Sequence, residues 1–388
     1  MAGYPILSRA GSPINEKRKE FVEIKLHTLC EGIRFSEPAL KQLHTSNTRF
    51  VNGLYNFNDK TQYQIPHEYF FPDNTIVKIT FNSKSRFNIG LSDDAFVLFE
   101  GKRPISEVFF PEKPNFYSKK TRDGVDMSKI IQVIGRDCIK IYPLNFCLYE
   151  QKRENCKFCD IKSGRTTNTF VFSKKTRQIL EACREANMDG LLGPLLVASG
   201  VYGTDCRGAK VMSDIVLGIK AISKKDIVKG SVSIVPPRKD LYVELLKKSG
   251  IEYLTYNLEV YDPFIFERMC PGKASDTGRD GYFRAFEVGV QLFGKGKVRS
   301  NFVAGLEPLG SLFEGFYKLA EMGVVPTATI LNIGKESEIK HLVKKPEINY
   351  FRQVFVELSK IYRKFDFKPP WDMFCESHSL DAEGQFLE

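Results

Sequence analysis

From residue 138 onward, short apolar runs alternate with longer stretches of helical spacing. The runs are CIKIYPLNF (138–146), LLVASG (195–200), SVSIVPP (231–237), YLTYNLEV (253–260), VRSNFVAGLEP (298–308) and VVPTATILN (324–332). Between and after them lie stretches such as KKTRQILEACREAN, RKDLYVELLKKSG and GYFRAFEVGVQLFG. In FRQVFVELSKIYRKF apolar residues recur at three- and four-residue intervals, which gives a helix one apolar face. Gly follows several of these stretches, as a helix stop should. Strands alternating with helices predict an α/β fold with a parallel sheet and right-handed crossovers. Six strands fall short of a full eight-stranded barrel, so the pattern predicts a partial, TIM-like (β/α)6 barrel. In such folds reactive groups gather at the C-terminal ends of the strands.

The first 130 residues read differently. NTIVKITFN, FNIGLSD and AFVLFEG are short stretches rich in β-branched and aromatic residues, punctuated by Asn, Ser, Asp and Gly. A Pro- and Lys-rich segment, FFPEKPNFYSKKTRDG, follows and reads as a linker. The expected organisation is a mainly β accessory domain over 1–130, the (β/α)6 core over 131–340, and a C-terminal helix and tail over 341–388.

Composition narrows the class. The chain has 388 residues, 42% hydrophobic and 27% charged, enough to bury a sizeable core. It has no apolar run long enough for a transmembrane helix and no secretory signal, so a cytoplasmic protein is expected. The net charge of +10 favours acidic partners such as nucleic acid, anionic cofactors or an acidic electron carrier. A solvated basic surface explains it as well. Nine cysteines in such a chain argue against a disulfide framework and for metal binding or catalysis.

One segment concentrates the chemistry. NFCLYEQKRENCKFCDIKSG, directly after the first strand of the repeat, holds Cys147, Cys156 and Cys159 spaced C-x8-C-x2-C. Soft thiolates select zinc or iron–sulfur clusters. Structural zinc is normally closed by four protein ligands. Three cysteines on a four-iron cluster leave one iron open. A zinc knuckle completed by Asp160 or His378, or unrelated buried thiols, are the competing readings. Cys30, Cys138, Cys183, Cys206, Cys270 and Cys375 are scattered, and Trp371 reads as a tail anchor.

A cysteine triad after the first strand of a (β/α)6 barrel resembles the radical S-adenosylmethionine superfamily. The CKFC half keeps that family's C-x-φ-C pattern, with Phe158 in the aromatic position. The first spacing is eight residues where three is usual. The resemblance, over about residues 135–335, implies a [4Fe–4S] cluster and S-adenosylmethionine as cofactors. It implies that Ser199, Gly200 and Val201 stand at the glycine-rich segment facing the methionyl amino group. The usual acidic residue is absent there, and Asp205 is the nearest carboxylate. It implies that Asn257 and Glu259 face ribose or carboxylate. Arg299, Ser300 and Asn301 would meet cofactor or substrate, and Val303 and Gly305 would pack on the adenine, with Glu307 beyond. Lys273, in the PGK turn, reads more readily as part of a solvent-exposed turn.

The chemistry so implied is reductive cleavage of S-adenosylmethionine to start radical chemistry on an unidentified substrate, a small molecule or peptide rather than nucleic acid. The expected reductant is a flavodoxin or ferredoxin, docking on basic residues of KKTRDG or QKREN. The alternatives are a zinc- or cluster-binding nucleic-acid-associated protein and an electron-transfer module.

Overall fold

The computed structural model describes residues 13–51, 63–159, 161, 171–333, 338–368 and 376–388. The main sheet has seven strands. These are β7 (Ile131–Ile134), β8 (Cys138–Ile141), β9 (Leu195–Ala198), β10 (Val228–Ser233), β11 (Ile251–Thr255), β12 (Val298–Ala304) and β13 (Val324–Ile330). Strands β8 to β13 run parallel and lie side by side in chain order, and β7 pairs antiparallel with β8. The six parallel strands are the six apolar runs expected from the sequence. Among the described residues β13 pairs only with β12 and β7 only with β8, so no strand pairing closes the sheet into a barrel.

Helices α5 (Thr176–Met188), α6 (Ala209–Ser223), α7 (Leu241–Ser249), α10 (Gly278–Phe293) and α11 (Leu309–Glu321) make the crossovers. The short helices α8 (Pro263–Met269) and α9 (Pro271–Asp276) lie in the connection after β11, and α12 (Ile348–Phe365) follows β13. In α12 the predicted apolar face is buried as Phe351, Val354, Phe355, Leu358, Ile361 and Tyr362. Each such side chain contributes roughly 1.5–3 kcal/mol on burial.

The two faces of the sheet differ. Phe302 of β12 meets Phe316 of α11 edge-on, with ring centroids 5.2 Å apart, and Val298 lies against α10 at Gly289. Strand alternation therefore turns Arg299, Asn301 and Val303 away from the helices. The register carries this inner face across the sheet to Thr327 and Thr329, to Tyr253 and Thr255, to Ser231 and Ser233, to Leu196, and to Lys140. A parallel sheet buried on both sides is usually apolar on both. Here the inner face is rich in hydroxyls and charges, and Ser231 and Thr255 share a 2.6 Å hydrogen bond.

The N-terminal part holds β1 (Arg34–Phe35), β4 (Phe87–Ser92), β5 (Ala95–Glu100) and β6 (Arg103–Glu107) in one sheet, and β2 (Glu68–Phe70) with β3 (Ile76–Lys78) in another. The expectation of a mainly β segment is corrected by α1 (Pro13–Glu31) and α2 (Glu37–Thr45). Helix α1 serves two cores. Phe21 stacks on Phe71 at 4.4 Å, while Val22, Leu26 and Leu29 join the core of the main sheet. Buried on two sides, it lacks the single apolar stripe by which sequence reveals a helix.

The start of the inner face is held by the C-terminal segment. Buried Arg299 lies over the Tyr253 ring at 4.3 Å. Asp381 accepts the Ala328 N–H at 3.0 Å, and Glu383 pairs with the buried Lys25 of α1 at 2.5 Å.

Candidate active site

After β8 the chain runs on beside residues 171–174. Asn145 N–H donates to Phe172 O and Lys174 N–H to Pro143 O, at 2.8 and 2.9 Å. This brings Cys147 to the start of helix α4 (Leu148–Gln151), at the C-terminal rim of the sheet. The end of β9 packs directly on it. Leu148 N–H donates to Val201 O at 3.0 Å. A Cβ on Gly200 would collide with Phe146 O and lie 2.9 Å from Cys147 Cα, so only glycine permits this approach.

The second half of the loop is tied to the connection after β11. Lys157 N–H donates to Met269 O, and Gly272 N–H to Glu154 O, both at 2.9 Å. A Cβ on Gly272 would sit 2.5 Å from the Tyr149 ring. The CKFC half turns back on itself through Cys159 N–H to Cys156 O at 3.0 Å. Phe158 is half-buried against the main core.

Three segments thus meet, and the thiols meet with them. Cys147, Cys156 and Cys159 feel one another electrostatically. Burial raises the Cys147 thiol, while the N–H groups of Val201, Tyr149 and Glu150 favour its thiolate without closing a capping bond on α4. Burial, and next the neighbouring Cys156, push Cys159 up to about 12. Cys156 moves the other way, because the buried Cys270 hydrogen-bonds to it and the Lys273 ammonium favours its charge. Cys270, which spacing alone left among the scattered cysteines, is therefore part of this group. Its adjacency to the PGK turn after the fourth parallel strand is the signal that marks it.

Lys273 is not in an exposed turn as expected. It is buried, and its ammonium donates to Glu259 Oε1 at 2.8 Å and to Asn257 O at 2.7 Å. Two acceptors left at the end of β11 draw the lysine inward, since a buried carboxylate is costly unless paired. Glu259 itself has φ +73°, the left-handed region, at a cost of roughly 1 kcal/mol or more. Its N–H donates to Asn301 O and its carbonyl accepts from Val303 N–H. Asn257 Oδ1 accepts the Asn301 N–H at 3.2 Å, and Asn301 donates to Thr329 at 3.2 Å.

Other candidates stand apart from the thiols. Arg299 lies at the start of β12 against Tyr253. Ser300 Oγ accepts the Leu258 N–H at 3.0 Å. Ser199 Oγ donates to Gly200 O at 2.7 Å. Gly305 donates to Tyr350 Oη at 3.2 Å, and the buried Glu307 accepts the N–H groups of Tyr261 and Asp262 at 2.8 Å. Asp205 faces Arg238 and Lys239 at the surface. Of the two basic segments, Lys119, Lys120 and Arg122 each have carboxylate partners, whereas Lys152 and Arg153 are exposed and pair with no carboxylate among the described residues. Asp160, Trp371 and Cys375 lie outside the described residues.

The donors fit an iron–sulfur cluster in kind and number: three half-buried cysteines at one rim, one of them surrounded by backbone N–H groups. Their spacing here is not that of a ligand shell, and among the described residues no three His, Cys, Asp or Glu side chains are arranged to hold a metal ion.

No family model matches the chain. It is 23% identical over 263 residues to a bacteriochlorophyllide c C-7(1)-hydroxylase of Chlorobaculum limnaeum, a match covering 63% of this chain and 65% of that relative. Among solved structures, methylornithine synthase overlaps it with a TM-score of 0.46 at 12% identity, covering 60% of this chain and 63% of that one. A maturase of the [FeFe]-hydrogenase overlaps it with a TM-score of 0.46 at 19% identity, covering 60% and 50%. The chain thus spans less than two thirds of the length of each of these proteins. No helix among the described residues is long and apolar enough to cross a membrane.

Proposed function

We propose that the chain is an enzyme of the radical S-adenosylmethionine superfamily, with Cys147, Cys156 and Cys159 as the ligands of a [4Fe–4S] cluster. The observation that carries the reading is the convergence of these three thiols at the C-terminal rim of six parallel strands. The similarity to a hydroxylase supports an enzyme over a scaffold.

A [4Fe–4S] cluster held by Cys147, Cys156 and Cys159 would supply the electron for reductive cleavage of S-adenosylmethionine. The remaining work belongs to the chain. Val201, Tyr149 and Glu150 aim N–H groups at the Cys147 sulfur and orient it. Gly200 and Val201 bring the β9 rim into contact with the cysteine loop. Glu259, held by Lys273, presents a fixed carboxylate beside Asn257. The side chains of Phe158 and Val303 exclude water from the rim. Lys152 and Arg153 offer an acidic flavodoxin or ferredoxin a positively charged approach to the loop.

The test is electron paramagnetic resonance on protein reconstituted without oxygen and then reduced. A four-iron signal that changes on adding S-adenosylmethionine is the expected result. A four-iron signal indifferent to it returns the chain to electron transfer. Zinc in place of iron returns the cysteines to a structural role.

A further inference from the structure

Cys270 ends α8 and opens α9, and it is fully buried. The second half of the cysteine loop runs across from it. Two backbone hydrogen bonds, Lys157 N–H to Met269 O and Gly272 N–H to Glu154 O, both at 2.9 Å, tie the two segments together in opposite directions. They bracket Cys156 and Cys270 from either side, so these two residues face each other. Pro271 has no N–H to give, which is why the second bond falls to Gly272. The close approach needs a glycine there, since a Cβ would lie 2.7 Å from Glu154 O. Opposed residues of antiparallel segments stand roughly 4.5–5.5 Å apart at Cα. A disulfide spans about 4.4–6.8 Å.

The sulfurs meet as the backbone does. The Cys156 and Cys270 thiols hydrogen-bond to each other, and neither is in a disulfide. Cys147 and Cys159, by contrast, act on Cys156 electrostatically. Access separates the pair: Cys156 is half-buried, whereas Cys270 is sealed from solvent. Packing alone asks only for a small apolar side chain at Cys270. A second sulfur set against Cys156 adds redox chemistry to it.

We propose that Cys156 and Cys270 are a peroxide-sensitive thiol pair, which closes to a disulfide in the cluster-free chain and so withholds one ligand from iron. A peroxide reaches Cys156 first. The thiol gains one oxygen as a sulfenic acid, and the rest of the peroxide leaves as water or an alcohol. The Cys270 sulfur then attacks the sulfenic sulfur. An S–S bond forms, the S–O bond breaks, and the hydroxyl leaves as water with the Cys270 proton. The two thiols have then given two electrons to the peroxide. The bridge spares Cys156 from the sulfinic acid, which thiols do not reverse, and a small dithiol reopens it. As a modification site the pair stands by itself. As a gate on cluster loading it rests on Cys156 being a ligand.

The experiment uses the full chain, free of metal and reduced, then treated with equimolar hydrogen peroxide. Remaining thiols are blocked in acid and the peptides mapped by mass spectrometry. A bridge between the Cys156 and Cys270 peptides is expected, with two thiols lost from the count. Uptake of iron and sulfide should then fall in proportion to the bridged fraction and return after dithiothreitol. Cys270→Ala should instead hold Cys156 as a sulfenic acid, trapped by dimedone, and pass to a sulfinic acid from which dithiothreitol restores no uptake. A bridge from Cys156 to Cys159, Cys147 or Cys375, or oxidation of Cys156 with no bridge, overturns the pairing. A Cys270→Ala chain that keeps its far-ultraviolet spectrum yet takes up no iron before any peroxide makes Cys270 a ligand and overturns the proposal too. A Cys156–Cys270 bridge that leaves iron uptake unchanged overturns the gate and takes Cys156 out of the ligand set, while the modification site stands. The peptide map is read on the parent chain, so it decides the pairing whether or not the variant folds.

Discussion

The two ends of the inner face handle buried charge in opposite ways. Towards the start of the strands, Lys25 and Glu383 form a pair between segments 358 residues apart and Arg299 lies over Tyr253, while farther along β13 Asp381 accepts the Ala328 N–H. These groups fasten the C-terminal segment to α1 and the sheet. At the C-terminal rim, charge stands beside reactive sulfur. The pair Lys273–Glu259 shares its neighbourhood with Cys156 and Cys270, one partner in a left-handed conformation, and the close approaches depend on Gly200 and Gly272. Polar groups at the first end are fixed in pairs. At the second they are held in strained positions and converge on one spot, which is how a site differs from a clasp.

Cysteine replacement separates the ends most sharply. Changing Cys147, Cys156 or Cys159 to Ala should abolish iron binding and visible absorption after reconstitution while leaving the folded far-ultraviolet spectrum intact. Full iron loading in any one of them removes that cysteine from the ligand set.

The ion pairs come next. Lys25→Met alone should destabilise by about 3–5 kcal/mol, because Glu383 is left buried and unpaired. Adding Glu383→Leu should return most of that, with the cluster signal unaffected, since an apolar pair can replace a buried ion pair. At the rim the same logic gives a different result. Lys273→Met with Glu259→Gln should refold as well by urea titration, yet lose the change in the cluster signal on adding S-adenosylmethionine. If both double variants keep that change, the contrast between the ends is wrong.

A smaller effect belongs to Asp381. Burial holds its carboxyl at about 7, above the unfolded value near 4. Ser379, the Ala328 N–H, Arg299 and Lys25 pull it the other way without prevailing. Between these values the folded chain binds more protons than the unfolded one. The contribution is therefore complete below about pH 4 and is lost as pH rises towards 7, by on the order of 1–3 kcal/mol. Asp381→Asn keeps an oxygen for Ala328 and should flatten that part of the stability profile. A profile identical to the parent's would mean that other groups set it.

Much of this contrast was legible beforehand, and unevenly so. The six parallel strands announce themselves through β-branched runs between amphipathic helices. The cysteine loop is marked by its spacing, because three thiols within thirteen residues need only one turn and one short helix to meet. What sequence hid was long-range pairing. Cys270 joins Cys156 across more than a hundred residues, and Lys273 is drawn inward by Glu259 rather than by anything in its own turn. Helix α1 was missed because two cores share its surface.

The smallest expected effect concerns the outside of the same loop. Lys152 and Arg153 are exposed and stand between Cys147 and Cys156 in the chain, and among the described residues they have no carboxylate partner, whereas the charges of Lys119, Lys120 and Arg122 are matched. A reductant that docks on positive charge should therefore use the first pair and not the second. Charge reversal at Lys152 and Arg153 is expected to slow reduction by flavodoxin by roughly severalfold or more at low salt, acting on association rather than on the cluster. The difference should shrink as ionic strength rises, because exposed charges are screened beyond about 10 Å at 0.1 M. The same reversal at Lys120 and Arg122 is the control and should leave the rate alone. Equal slowing by both variants would point to overall charge, and no slowing by either would place the docking surface away from the cysteine loop.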